Sequence, residues 1–127
     1  MIEKVHTDSA PAAIGPYSQA VKAGGFLFAS GQIPIDPATG KIVEGTAAEQ
    51  AKQVFSNIRE VLKAAGTDET KVVKAVVFLK NMDDFASVNE VYASFLAAST
   101  VLPARSAVAV QKLPKDVKVE IEVIALL

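Results

Sequence analysis

The chain has 127 residues, 50% apolar and 21% charged, which suits one folded domain spanning residues 1–127, with its own core and no disordered tail. A net charge of −1 gives no electrostatic reason to bind nucleic acid or an anionic membrane, and neither a signal peptide nor a membrane span is expected. There is no cysteine and a single histidine, His6, which excludes thiol nucleophiles and Cys/His zinc clusters and makes a cytoplasmic location the default expectation.

Ile2–Val5 reads as a short strand, and the prolines and glycine of Ala10-Pro11-Ala12-Ala13-Ile14-Gly15-Pro16 make the next segment a loop. Tyr17–Lys22 and Phe26–Gln32 are predicted to pair as a hairpin about Ala23-Gly24-Gly25. Pro34 and Asp36-Pro37-Ala38-Thr39-Gly40 predict a polar, turn-rich excursion. Thr46-Ala47-Ala48-Glu49 is a capping box and starts the clearest helix. Its apolar stripe is Ala47, Ala51, Val54, Phe55, Ile58, Val61, Leu62 and Ala65. Lys52, Gln53, Asn57, Glu60 and Lys63 take the other face, and Gly66 is the stop signal.

Val72–Leu79 is apolar on both alternations except at Lys74, which predicts a strand covered on both faces. Asp83 or Asp84 can cap a second helix, with an inner stripe of Phe85, Val88, Val91 or Tyr92, Phe95 and Leu96. Arg105–Val110 and Val117–Leu127 are the last strands. The order β-β-β-α-β-α-β-β predicts an α+β architecture with two helices on one face of a sheet. In the final strand, Lys118, Glu120, Glu122, Ile124 and Leu126 alternate with an apolar set. A row that begins charged and ends aliphatic is expected to run from a wet cleft into the interface of a homo-oligomer.

The residues that could carry chemistry are few. Arg105 shares a strand face with Ala107 and Ala109, small side chains that leave room beside a guanidinium suited to bidentate carboxylate binding. On periodicity alone, a cross-strand ion pair of Arg105 with Glu120 or Glu122 is the simpler reading. Those two glutamates lie roughly 7 Å apart on one strand face. They could be acid and base, a water-holding carboxylate with a structural one, or merely a solvated face. Tyr17 and Ser30 offer hydroxyls, which most often satisfy local backbone groups. Asn89 falls off the apolar stripe of its helix and reads as a surface residue. Gly24-Gly25 and Gly31 form no phosphate loop, and Lys71, Lys74 and Lys80 are too scattered for a nucleic-acid stripe.

Together these segments resemble a known family. Ala10-Pro11-Ala12-Ala13-Ile14-Gly15-Pro16-Tyr17-Ser18-Gln19 is similar to the N-terminal signature of the Rid proteins (reactive intermediate deaminases, or YjgF family), and specifically to the RidA branch. So are Ser30-Gly31-Gln32-Ile33-Pro34, Val88-Asn89-Glu90-Val91-Tyr92, Pro103-Ala104-Arg105-Ser106, Leu113-Pro114-Lys115-Asp116 and Val119-Glu120-Ile121-Glu122, in the family's order and nearly end to end.

The resemblance implies a chorismate-mutase-like fold assembled as a homotrimer with active sites between subunits. The implied substrates are 2-aminoacrylate, its imine tautomer and related 2-imino acids, hydrolysed to 2-keto acids and ammonia without metal or cofactor. Arg105 would clamp the substrate carboxylate and Glu120 would position the water. Tyr17 and Ser30 would line the pocket, and Asn89 its rim. Where many RidA-like sequences have cysteine, this chain has Ala107, whose backbone amide could still contact substrate. A non-catalytic trimer binding 2-keto acids or amino acids is the alternative. RNA cleavage is disfavoured by the charge and the lack of paired histidines.

Overall fold

Helix α1 (Ala47–Ala64) begins where the sequence predicts. In the computed structural model, which describes residues 1–127, Thr46 Oγ1 accepts the Glu49 N–H at 3.2 Å while the Glu49 carboxylate reaches back to the Thr46 N–H. Gly66 stops the chain with φ +83°, a left-handed conformation that a side chain would resist. The apolar stripe of α1 is buried throughout, but so are Gln50 and Asn57. Asn57 therefore does not belong to the solvent face. Its amide donates to Ile33 O and Ile35 O, carbonyls that periodicity could not bring into view.

The main sheet contains β1 (Glu3–Val5), β2 (Ala20–Ala23), β3 (Phe26–Ala29), β6 (Val72–Leu79), β7 (Ala104–Ala109) and β8 (Val119–Leu126), in the order β1-β2-β3-β8-β6-β7. A small separate hairpin of β4 (Ile35–Asp36) and β5 (Lys41–Ile42) occupies the stretch expected to be only turns. Its strands are two residues each, too short for alternation to show in the sequence. The hairpin predicted over Tyr17–Lys22 and Phe26–Gln32 is shorter than expected: β2 starts at Ala20 and β3 ends at Ala29, so Tyr17–Gln19 remains in the loop.

Helix α2 (Phe85–Phe95) connects β6 to β7, its parallel neighbour, completing a βαβ unit. The other pairings are antiparallel, so the sheet is mixed. Neither Asp83 nor Asp84 caps α2 with its side chain. Instead Asn81 Oδ1 accepts the Asp83 N–H at 2.9 Å and starts a 3₁₀ turn that feeds the helix.

Both helices cover one face. Leu27, Ile58, Leu62, Leu79, Val119 and Ile121 are essentially fully buried there, each worth about 1.5–3 kcal/mol relative to exposure. The opposite face carries Phe26, Phe28, Val76, Phe78, Val108, Ile124 and Leu126 by strand alternation, with Lys74, Glu120 and Glu122 among them. Phe28 is 42% exposed and Val108 44%. Cover of β6 on both faces, expected from its composition, is thus supplied by the chain on one side only. No helix is long and apolar enough to cross a membrane.

Thr46→Ala removes the acceptor for the Glu49 N–H and should lower stability by about 1 kcal/mol. Urea unfolding of both proteins at one protein concentration, followed by circular dichroism, measures the difference.

Candidate active site

Two clusters of polar residues face different ways. The first is centred on Glu120, which is opposite Phe78 on β6 and projects from the face that the helices leave open. The neighbouring residue Ile121 exchanges both backbone hydrogen bonds with Gln32, at 2.8 and 3.1 Å, which draws Gly31 against the Glu120 side chain. A Cβ on Gly31 would lie 2.3 Å from Glu120 Oε2 and 2.9 Å from Cδ. Gly31 does not have positive φ, so glycine is required here for space.

Pro11, Ile14, Tyr17, Ile33 and Pro114 wall the pocket around that carboxylate. Burial pushes the Glu120 pKa above the ordinary glutamate value, and the like charge of Glu122 pushes it further. Tyr17 reaches the pocket from the proline-rich loop, whose turn is closed by the Tyr17 N–H donating to Gly15 O at 2.9 Å. Ser30 adjoins Gly31, but its hydroxyl donates to Ser18 O at 2.7 Å and serves the backbone. Lys115 and Asp116, with φ of 53° and 56°, form a left-handed turn at the rim, and Asp116 pairs with Lys80 at 2.9 Å.

The second cluster is centred on Arg105. Its Cα partner on β6 is Ala75, a core residue, so the side chain projects on the helix side of the sheet. The guanidinium lies 4.6 Å from the ring centroid of Tyr92 and 5.3 Å from that of Phe85, and Nη1 donates to Asn89 Oδ1. Aromatic faces attract and orient a guanidinium, and one amide acceptor occupies only part of its fork. Burial raises the Tyr92 pKa, partly offset by the Arg105 charge.

Asn89 is therefore an Arg105 partner and not a free surface residue. Phe85, Asn89 and Tyr92 follow i, i+4, i+7 spacing on α2. Apolar periodicity finds Phe85 and Tyr92 but passes over Asn89 between them. Ala107 lies on the same edge strand. Val110 N–H donates to Leu79 O, so by alternation along a parallel ladder the Ala107 N–H points away from β6 toward the open edge.

Arg105 and Glu120 thus occupy opposite faces of one sheet, and the cross-strand ion pair considered from periodicity does not form. The chain brings Tyr17 and Glu120 together with Gly31, and Arg105 together with Asn89. It does not bring these two groups to each other. Chemically, the first cluster can hold a water and accept its proton, and the second can hold a carboxylate. No group of three or more His, Cys, Asp or Glu side chains is arranged to hold a metal ion.

Comparison with known proteins gives consistent matches. The family model described as Endoribonuclease L-PSP matches residues 7–127. A RutC family protein of Pyrococcus horikoshii is 56% identical, the match covering 98% of each chain. A 2-iminobutanoate/2-iminopropanoate deaminase of Bos taurus is 53% identical over 95% of this chain and 87% of that protein. The crystal structure of RidA from an Antarctic Psychrobacter superposes with a TM-score of 0.92 at 47% identity, covering 98% of this chain and 99% of that one.

Two outcomes follow from the Glu120 seat. Glu122→Gln removes the like charge and should lower the Glu120 pKa, as read by carbon-13 titration of its carboxyl group. Ionisation of a carboxylate whose pKa is raised opposes folding, so the favourable contribution is present at low pH and is lost as pH rises through the folded-state pKa. Glu120→Gln, which stays neutral, should therefore gain stability over wild type above that range and not below it. Denaturant midpoints across pH measure the gain.

Proposed function

The chain belongs to the endoribonuclease L-PSP family, also called the YjgF or Rid family, and we propose that it is an enamine/imine deaminase. Its substrates are 2-iminopropionate, reached from 2-aminoacrylate by tautomerisation, and related 2-imino acids. The observation that carries the reading is the Glu120 carboxylate seated on Gly31 in a pocket walled by apolar side chains, its pKa raised, beside Tyr17 and with no cysteine, serine or histidine in the lining. Such a group is suited to water and to an electrophile that needs no covalent catalyst. The bovine relative's name supports the substrate class.

The reaction balances with the residues at hand. Arg105 holds the substrate carboxylate through the part of its fork that Asn89 leaves free, and the Ala107 N–H at the open edge adds a donor. Glu120 takes a proton from water as the oxygen attacks C2 of the iminium, forming a carbinolamine. The proton passes to nitrogen, Glu120 then takes the carbinol O–H proton as the C–N bond breaks, and the ammonia released takes that proton and leaves as ammonium beside the 2-keto acid. Positioning and proton transfer are each recognised sources of rate, the latter worth roughly 10²–10⁴-fold. An iminium carbon is already electrophilic, so the scheme needs neither metal nor cofactor.

This scheme requires Arg105 and Glu120 to meet, and within one chain they face apart. A homotrimer resolves the conflict: the open sheet face, with Phe28, Val108 and Ile124, is buried between copies, and Arg105 of one copy faces Glu120 of the next. Tyr17 and Glu120 then come from the same subunit, since they share a pocket in one chain. The endoribonuclease of the family description finds little support in the side chains. Net charge is −1, and His6, the single histidine, sits 2.9 Å from Asp8, outside both clusters.

The test is keto-acid formation from 2-aminoacrylate generated in situ by a serine dehydratase. Wild type should accelerate it, while Arg105→Ala and Glu120→Gln alone should not. Refolded together in equal amounts, the two variants should regain about a quarter of wild-type activity, because random assembly pairs an intact Arg105 with an intact neighbouring Glu120 at that frequency. No acceleration by wild type refutes the deaminase reading. Inactive mixed trimers refute the shared site.

A further inference from the structure

We propose that Gln50 and Asn57, two buried amides of α1 that line neither cluster, are positioning residues for Glu120. The inference deepens the deaminase reading and rests on it. Both residues lie on the sheet-facing side of the helix, seven positions apart, at 3% and 1% exposure. A core needs only apolar side chains at such places, and a buried amide is tolerated only with its hydrogen bonds made.

Apart from one bond within α1, from Gln53 to Asn57, the bonds they make go to backbone outside the helix, including the residue that leads into β8 and the Ile33–Ile35 stretch. Gln50 Oε1 accepts the N–H of Lys118 at 2.8 Å, immediately before β8 begins. Gln50 Nε2 donates to Val43 O at 3.0 Å, and the Lys118 ammonium donates to Gly45 O, so the β5–α1 loop is tied to the same point. Asn57 Nδ2 donates to Ile35 O at 2.9 Å and to Ile33 O at 3.3 Å, while its Oδ1 accepts from Gln53 at 2.9 Å. The partners fix both orientations, since a backbone N–H can only donate and a carbonyl can only accept.

The geometry that results is a bracket. Glu120 is carried by one backbone segment, β8 from Lys118 onward, and its carboxyl rests on another, the Gly31–Ile35 stretch. These are joined to each other by the Gln32–Ile121 pair, and each is also tied to α1. Neither tie belongs to a ladder of the main sheet. The β8 segment is also held by its pairing with β6 and by the Lys80 N–H donated to Lys118 O at 3.0 Å, whereas Ile33–Ile35 has no partner in that sheet and depends on the Asn57 tie. The contact of the Glu120 carboxyl with Gly31 leaves no space for even a methyl group. A small displacement of either segment therefore moves the carboxylate relative to a substrate held from the other subunit by Arg105. A misplacement of about 1 Å can cost on the order of 10²-fold in rate.

The experiment compares wild type with Gln50→Met, Gln50→Glu and Asn57→Leu in the in situ 2-imino acid assay, and measures 2-oxobutanoate binding by calorimetry. Gln50→Met and Asn57→Leu should lose roughly 10- to 100-fold in kcat. Their affinity for 2-oxobutanoate should stay near that of wild type, since the Arg105 cluster is untouched. Gln50→Glu keeps an oxygen acceptor for the Lys118 N–H, and with its second oxygen protonated it can also donate to Val43 O, so it should recover part of what Gln50→Met loses toward low pH. Folded variants with wild-type kcat overturn the proposal, as does an equal loss of kcat and binding. Amide hydrogen exchange on wild type requires neither turnover nor a folded variant. Lys118 N–H should be protected as strongly as the β8 ladder amides, and fast exchange there overturns the clamp. Failure of the deaminase reading is distinguishable, because it appears as no turnover by wild type with that protection intact.

Discussion

Insertion of β8 between β3 and β6 is the constraint on which the rest of the molecule depends. The C-terminal strand joins an N-terminal meander to the β6–α2–β7 unit, and without it the sheet separates into two parts. Because β8 is central, its helix-side residues Val119, Ile121, Val123 and Ala125 must be apolar, and they are buried. Its other face then has to present Glu120 and Glu122 on the side that no helix covers. The same insertion that completes the core therefore turns the Glu120 carboxylate toward the face that no helix covers, and the burial of one alternation sets the direction of the other.

Around that strand, geometry and electrostatics cooperate. Gly31 is brought against Glu120 by two backbone hydrogen bonds between Gln32 and Ile121, and the missing Cβ is what lets the carboxylate lie flat there. Close packing removes water from the carboxylate, and desolvation is the leading cause of its raised pKa, with Glu122 second. At the far edge of the sheet, Arg105 is held by two aromatic faces and one amide, an arrangement that orients a cation without neutralising it. A cation left without a carboxylate and a carboxylate left without a cation thus lie on opposite faces of one sheet.

Much of the architecture was legible because it is local. The capping box at Thr46, the 3.6-residue stripe of α1, Gly66 as its stop and the order of the main strands are encoded in neighbouring residues, and the structure has them at or near the expected positions. The misreadings share one cause. Periodicity alone places Asn57 on the solvent face, Asn89 on an idle surface and Tyr17 in a strand, and gives no sign of the β4–β5 hairpin. In each case the deciding partner is remote in sequence or the element is too short to show a period. A polar side chain on a helix reads as exposed until the carbonyls it must serve are brought to it by the fold.

The sequence by itself determined the α+β order, the exclusion of thiol chemistry and the residue types available for chemistry: an arginine, a carboxylate, a phenol and backbone amides. It also carried the motifs by which the family was identified. Only the tertiary structure decided that Arg105 and Glu120 project from opposite faces, that Glu120 rests on Gly31, and that α1 reaches both backbone segments flanking it. The physical reason is that alternation fixes which residues share a face within a strand, whereas which face of one strand meets which face of the next is set by pairing register and crossover. Those are properties of the whole sheet and are not written in any single segment.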